Sequence, residues 1–253
     1  HAVMEFLIPI LENHDNCKFE IYCFYNDSFV DNYTNIVKKN SIFINIKGKS
    51  DKDVEKIIKD KDIDILVDLA GHTKGNRLSL FSLKPCPLQI TWIGYPSTTG
   101  LKEIDYRFVD KLTDPINAND NSYTEKKIRL KNFFMTFKPP TEYTITEPPF
   151  IKNNFITFGS FNNINKLSGQ TIKLWSKILL EDNKNKLLLK YLFFNDKKLV
   201  QLIKKEFNKY GVKEDQLIFY GFTSEEDHFK SYNKIDIGLD PFPYNGTTTT
   251  CEA

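Results

Sequence analysis

Residues 51–69 read DKDVEKIIKDKDIDILVDL, and this stretch decides the fold. Its first half, Asp51 to Lys61, sets Val54, Ile57 and Ile58 at helical spacing among charges; its second half, Ile63 to Leu69, is a short apolar run of strand length. Just upstream, Ile42 to Ile46 is another short strand candidate, so the order is strand, helix, strand. A succession of such units builds a parallel sheet with helices on its faces, and the predicted class is α/β.

The same alternation extends in both directions. Val3, Phe6, Leu7, Ile10 and Leu11 mark an amphipathic first helix, and Phe19 to Tyr25 (FEIYCFY) a strand. Beyond the central unit, Leu88 to Ile93 (LQITWI) and Tyr106 to Val109 are further strands. From Lys111 to Phe150 the chain turns polar and carries Pro139-Pro140 and Pro148-Pro149, the composition of a connection between domains. The expected division is residues 1–135 for an N-terminal lobe lacking its first strand, 136–152 for the connection, and 153–253 for an incomplete C-terminal lobe. In that second lobe the pattern restarts at Ile156 to Phe161. It continues through a helix from Ser168 to Leu180, Leu187 to Lys190, a helix from Asp196 to Tyr210, Leu217 to Tyr220, a helix from Ser224 to Asn233, and Ile235 to Leu239. No repeat of 20 to 50 residues is present, which argues against a solenoid.

Bulk properties narrow the partners. With 253 residues and 40% hydrophobic content the chain can bury a substantial core, and two domains fit its length. The 35 basic and 33 acidic side chains leave a net charge of +2, too little to recruit nucleic acid or an anionic membrane by a global field. Cys17, Cys23, Cys86 and Cys251 form no CxxC pair, so they read as reduced thiols. The apolar runs are too short to cross a bilayer.

In open parallel sheets, ligands bind beyond the carboxyl ends of the strands. Four polar clusters follow strand candidates: Gly71-His72-Thr73, Gly94 to Gly100, Phe161 to Lys166, and Asn245 to Thr250. The last, NGTTTT before a helix expected from Cys251, offers amides and hydroxyls of the kind that bind phosphate, although a Thr-rich helix cap has the same composition. Lys166 can reach a diphosphate from its loop, but the chain is rich in solvated lysines. His228 lies in a helix whose start, Glu225-Glu226-Asp227, favours a solvent-facing histidine over a ring that stacks on a base. His72 is either an acid-base or sugar-contacting group or a residue that orders its loop. GxSxG, GxGxxG and Walker signatures are absent, which weakens hydrolase, dehydrogenase and kinase readings.

Taken in order, four stretches resemble the catalytic region of the O-GlcNAc transferase family, and its SPINDLY-like and bacterial members more than the animal enzyme. They are Asp64 to Arg77 (DILVDLAGHTKGNR), Gln89 to Arg107 (QITWIGYPSTTGLKEIDYR), Phe158 to Leu167 (FGSFNNINKL) and Asp236 to Ala253 (DIGLDPFPYNGTTTTCEA). The resemblance implies two Rossmann-like lobes facing across a cleft, the GT-B arrangement, with a truncated C-terminal lobe holding most of the donor. By the same resemblance, Lys166 stabilises the departing diphosphate, Asn163, Gly246, Thr247, Thr248 and Thr249 surround the phosphates, Glu252 lies near the ribose, and His228 packs near the base. His1 and His72 belong to the reaction centre, and Gly94, Tyr95, Pro96 and Thr99 to a loop beside the sugar and acceptor.

The implied partners are a nucleotide-sugar donor, UDP-GlcNAc or GDP-fucose, and intracellular proteins with Ser or Thr hydroxyls. Tetratricopeptide repeats are expected before His1 and the remainder of the second lobe after Ala253; nucleic acid, membrane and cofactor are not expected. The implied location is the cytoplasm, with the nucleus as a second site. With no DxD-type carboxylate pair after a strand, the transfer is expected to need no metal. A non-catalytic nucleotide-sugar-binding module and a nucleotide-sugar epimerase are the alternatives.

Overall fold

In the computed structural model, which describes residues 2–116, 120–138 and 143–253, the chain forms two compact units, residues 1–138 and 139–253. The first contains α1 (Met4–Asn13), β1 (Tyr22–Tyr25), α2 (Asn32–Asn40), β2 (Ile42–Asn45), α3 (Asp51–Asp60), β3 (Ile65–Asp68), α4 (Leu78–Phe81), β4 (Leu88–Thr91), β5 (Tyr106–Asp110) and β6 (Lys126–Leu130). The second contains α5 (Phe150–Asn153), β7 (Thr157–Ser160), α6 (Gly169–Leu180), β8 (Lys186–Lys190), α7 (Lys197–Asn208), β9 (Leu217–Tyr220), α8 (Glu225–Lys230), β10 (Ile237–Gly238) and α9 (Thr248–Glu252). Every strand pairing among the described residues is parallel.

The helix of the opening stretch forms for local reasons. Ser50 caps α3 by accepting from the Asp53 amide while Asp53 accepts from the Ser50 amide, a reciprocal capping box. Val54 and Ile58 then lie fully buried against Ile46, Leu66 and Phe81. The strand that follows is only half buried. Because β3 is the edge of the β3-β4-β5-β6 sheet, Leu66 and Asp68 point inward while Ile65 and Val67 remain exposed.

One strand escaped the sequence pattern. The segment KKIRL of β6 reads as a basic loop, yet it pairs with β5 along its full length. Its charges are tolerated because Lys127 and Arg129 ion-pair with the buried Asp114, at 2.8 and 3.1 Å, and Lys127 also packs over the Tyr123 ring.

In the second unit the core lies between the sheet and α6 and α7. Trp175 and Leu179 of α6, Leu187 and Leu189 of β8, and Phe207 of α7 are essentially excluded from solvent. The strand order is β10-β7-β8-β9, so the chain steps from β7 through β8 to β9 on one side and returns with β10 on the other. The loops leaving β7 and β10 therefore diverge at a topological switch point, the position at which an open α/β sheet provides a crevice.

Candidate functional site

The switch point gathers the loop after β7 and the loop after β10. The loop after β7 closes in a 3₁₀ turn, Ile164–Lys166, capped by Asn163, whose side-chain oxygen accepts from the Asn165 amide at 3.0 Å. That turn brings the Lys166 ammonium back over the second loop, where Nζ donates to the Asn245 carbonyl at 2.8 Å and packs 4.6 Å from the centre of the Tyr244 ring. A longer contact, 3.4 Å, reaches Asn162. No carboxylate is ion-paired to Lys166 among the described residues. Burial pushes its ammonium below the ordinary lysine value, and the nearby Asp240 opposes that shift.

The loop after β10 is held at both ends. Ser168 and Thr171, at the start of α6, both donate to the Phe242 carbonyl, at 2.6 and 2.7 Å, and the Phe242 amide donates back to Thr171 at 3.0 Å. Asp240 accepts from the Gly246 amide at 2.8 Å, from Asn162 at 3.2 Å and from Thr250 at 3.2 Å. Thr249 donates to Asn162 at 3.0 Å. The helix starts earlier than the sequence suggests, at Thr248 rather than Cys251, so the threonine run forms its first turn. Thr249 and Thr250 are thereby spent on the scaffold, whereas the Thr247 and Thr248 hydroxyls have no protein partner among the described residues.

Glu252, in the same helix, accepts from Tyr232 at 2.9 Å and lies 3.2 Å from His228 Nε2. Burial, and then the Glu252 charge, raise the Tyr232 phenol well above its ordinary value, so it remains a donor. His228 meets the buried Phe161 ring edge-on at 5.6 Å. Together these two rings border an open pocket of about 450 Å³ that also takes in Lys190, Tyr191, Phe222 and Glu225. Lys166, Asn163, Gly246, the threonine run, His228 and Glu252 thus belong to one end of one sheet. Tyr232, Asp240 and Lys190 are structural partners of that region that sequence reasoning passed over; Asp240 and Lys190 carried a usable signal, being polar residues at the ends of apolar strands.

The first unit has its own loop cluster. Asp68, at the end of β3, is buried and accepts from the Ala70 and Gly71 amides and from Thr91 of β4 at 2.8 Å. The loops after β3 and β4 then touch backbone to backbone. A Cβ on Gly94 would lie 2.0 Å from the Leu69 carbonyl oxygen, and one on Gly71, whose φ is +52°, would lie 2.2 Å from Tyr95 Cβ. His72 is exposed and meets Tyr95 edge-on at 5.1 Å. Pro96 continues the same loop. Thr99, by contrast, is 3% exposed; its amide donates to Glu125 at 2.6 Å and its hydroxyl donates to the same carboxylate. Burial acts to raise the Glu125 carboxyl, but the hydrogen bonds from Thr99 and Thr98 outweigh it and hold the group below its usual range. His1 lies outside the described residues.

Among the described residues, no group of three or more His, Cys, Asp or Glu side chains is placed to hold a metal, and no helix is long and apolar enough to cross a membrane. Four free cysteines are present, with Cys17 exposed and Cys86 buried.

Parallel sheets with helical crossovers, and in the second unit a switch point carrying an ammonium and a hydroxyl-rich turn, place this chain in the class of Rossmann-like α/β proteins. Within that class the chain belongs to glycosyl transferase family 41, which matches residues 1–138 and 143–253. It is 35% identical over 260 residues to the tomato (Solanum lycopersicum) protein named probable UDP-N-acetylglucosamine–peptide N-acetylglucosaminyltransferase SPINDLY, and 34% identical to the protein of the same name from Arabidopsis thaliana. Each match takes in the whole chain and 28% of the relative. Among solved structures, a mutant O-GlcNAc transferase of Thermobaculum terrenum aligns with a TM-score of 0.94 and 31% identity over 100% of this chain and 48% of that one. The chain therefore spans less than a third of the curated relatives and about half of the structural one.

Proposed function

We propose that the chain supplies donor-binding and reaction-centre residues of a protein O-glycosyltransferase, which moves GlcNAc from UDP-GlcNAc or fucose from GDP-fucose onto Ser and Thr hydroxyls of intracellular proteins. The observation that carries this reading is the Lys166 ammonium, positioned at the β7/β10 switch point with no carboxylate ion-paired to it among the described residues, in the same loop cluster as the Thr247 and Thr248 hydroxyls, which those residues also leave unspent.

In the reaction the acceptor hydroxyl oxygen forms a bond to the anomeric carbon as the bond from that carbon to the diphosphate oxygen breaks. The hydroxyl proton leaves to a base, and the electron pair departs on the nucleoside diphosphate. Negative charge accumulates on the leaving group, where a preoriented ammonium and hydroxyl donors stabilise it more than they stabilise the bound donor. Asn163 and the amides around Gly246 and Thr247 surround the phosphates, Glu252 addresses the ribose, and His228 packs against the base. In the first unit, His72, Gly94, Tyr95 and Pro96, with His1, are assigned to the sugar and the acceptor, and Thr99 shapes their loop from within through Glu125. Because Lys166 supplies the charge compensation, the transfer needs no metal. Tetratricopeptide repeats elsewhere in the protein select the acceptors, in the cytoplasm and nucleus.

Incubation with radiolabelled UDP-GlcNAc or GDP-fucose and protein acceptors tests this. Label should enter protein from one donor, persist with EDTA present, and fall by a factor on the order of 10² to 10³ in Lys166→Ala. Interconversion of free sugar nucleotides without any acceptor would instead mark an epimerase, and a rate abolished by EDTA would refute the charge assignment.

A further inference from the structure

Among the described residues, the groups in contact with the Lys166 ammonium are all uncharged. Its Nζ donates to the Asn245 carbonyl at 2.8 Å, reaches Asn162 at 3.4 Å, and lies 4.6 Å from the centre of the Tyr244 ring. The Asp240 carboxylate acts on it from beyond ion-pairing distance. Lys127 of the first unit offers the contrast. It too packs over a tyrosine ring, Tyr123 at 4.2 Å, but it also ion-pairs with Asp114 at 2.8 Å, so its charge is compensated within the fold. At Lys166 a ring stands where a carboxylate could have been.

That difference has a physical consequence. A carboxylate beside Lys166 would compete with a phosphate for the same N–H donors. A ring face attracts the cation through its quadrupole, offsets part of the cost of burying it, and carries no net charge. The ammonium then stays protonated and can still take an anion. Being held also matters, because a lysine ammonium rides on a flexible four-carbon stem.

Tyr244 is itself well placed to hold it. Its loop is pinned on one side by Ser168 and Thr171, which donate to the Phe242 carbonyl, and on the other by Asp240, which accepts from the Gly246 amide. The side chain is half-exposed and belongs to neither core cluster, and its hydroxyl has no partner among the described residues; it meets Lys166 through the ring.

We propose that Tyr244 is a positioning residue, whose ring holds the Lys166 ammonium charged at the β7/β10 crevice in place of a carboxylate and so leaves its charge available to a diphosphate. The inference rests on the donor-site reading above, and adds to it a residue that acts through Lys166.

Two measurements on the chain test it, and the first needs no ligand. Labelling with trace acetic anhydride across a pH series, with the Lys166 peptide quantified by mass spectrometry, follows the ionisation of this amine; ionisation sets the midpoint and accessibility the plateau. Tyr244→Leu should move the midpoint to lower pH, so that the neutral-amine fraction on the rising limb grows by roughly two- to fivefold, as for the loss of one partly exposed cation–π contact. Calorimetric titration with inorganic pyrophosphate reads the consequence. Tyr244→Leu should weaken binding by a factor of roughly two to five, and the conservative Tyr244→Phe, which keeps the ring, should rescue both readouts. In a Lys166→Ala background the same Leu substitution should weaken pyrophosphate no further. An unmoved midpoint in Tyr244→Leu would overturn the proposal, as would a Tyr244→Phe variant that behaves like Tyr244→Leu, or an affinity loss that persists without Lys166. If the unmodified chain does not bind pyrophosphate, the donor-site reading fails, and the labelling midpoint still decides whether the ring holds the ammonium.

Discussion

The loop clusters at the strand ends of the two units use similar residue types and differ in what is left over. In the loops that leave β3 and β4 the chain's own groups are consumed: Gly71 and Thr91 donate to Asp68 at the end of β3, and Thr98 and Thr99 donate to Glu125, which precedes β6. After β7 and β10, Asp240 and Asn162 tie the loops together, but Lys166, Thr247, Thr248 and, deeper in the sheet, Lys190 retain donors that no group among the described residues consumes. Buried polar groups are normally satisfied, so a surplus of donors at a switch point is the mark of a ligand site, and a closed network is the mark of a scaffold. By that measure Thr99 shapes its loop through Glu125, and the second unit offers the unspent donors on which the proposed nucleotide site rests.

The largest effect expected is on the platform beneath the second cluster. Trp175 is 3% exposed in the core of that unit, and Trp175→Ala should lower its stability by about 3–5 kcal/mol. Chemical denaturation followed by circular dichroism measures this. A loss below about 1 kcal/mol would mean that the platform is less tightly packed than its burial indicates. A smaller loss is expected in the scaffold cluster. Glu125→Ala removes the acceptor of the buried Thr99 amide and should cost about 1–3 kcal/mol, while leaving nucleotide affinity unchanged. Its pH dependence has a definite sign. The folded-state value of Glu125 lies below that of the unfolded chain, so its contribution is complete above the ordinary glutamate value of about 4.3 and is lost as pH falls through the lower folded value. Melts of the unmodified chain and Glu125→Ala should therefore converge in acid; a constant gap would show that the carboxylate charge is not what stabilises the loop.

Most of the architecture was legible because the opening stretch and its equivalents obey simple patterns. Helical spacing at Val54, Ile57 and Ile58 gave α3, and short strand-like runs gave β3, β4 and β7. What escaped depended on contacts distant in sequence. The KKIRL strand hid behind charges that only Asp114 and Tyr123 explain, and half of β3 is exposed because of its edge position, which no local pattern encodes. The polar clusters after strands were legible, and the resemblance named most of the residues that the structure gathers around the β7/β10 switch point. The role of Asp240 as the clamp between the two loops, and the burial of Lys190, arise from the strand order β10-β7-β8-β9. His228 shows the limit of pattern: its acidic neighbours suggested a solvated ring, whereas Phe161 and Glu252, distant in sequence, place it at the pocket.

The central claim is that the β7/β10 switch point holds a nucleoside diphosphate through Lys166. Calorimetric titration of the chain with UDP and GDP, repeated in Lys166→Ala and in His72→Ala, tests it most directly. One saturable site is predicted, weakened by roughly tenfold or more in Lys166→Ala, as for a lost charge-assisted contact, and unaltered in His72→Ala. Binding that is indifferent to Lys166, or that depends on His72 instead, would contradict the account.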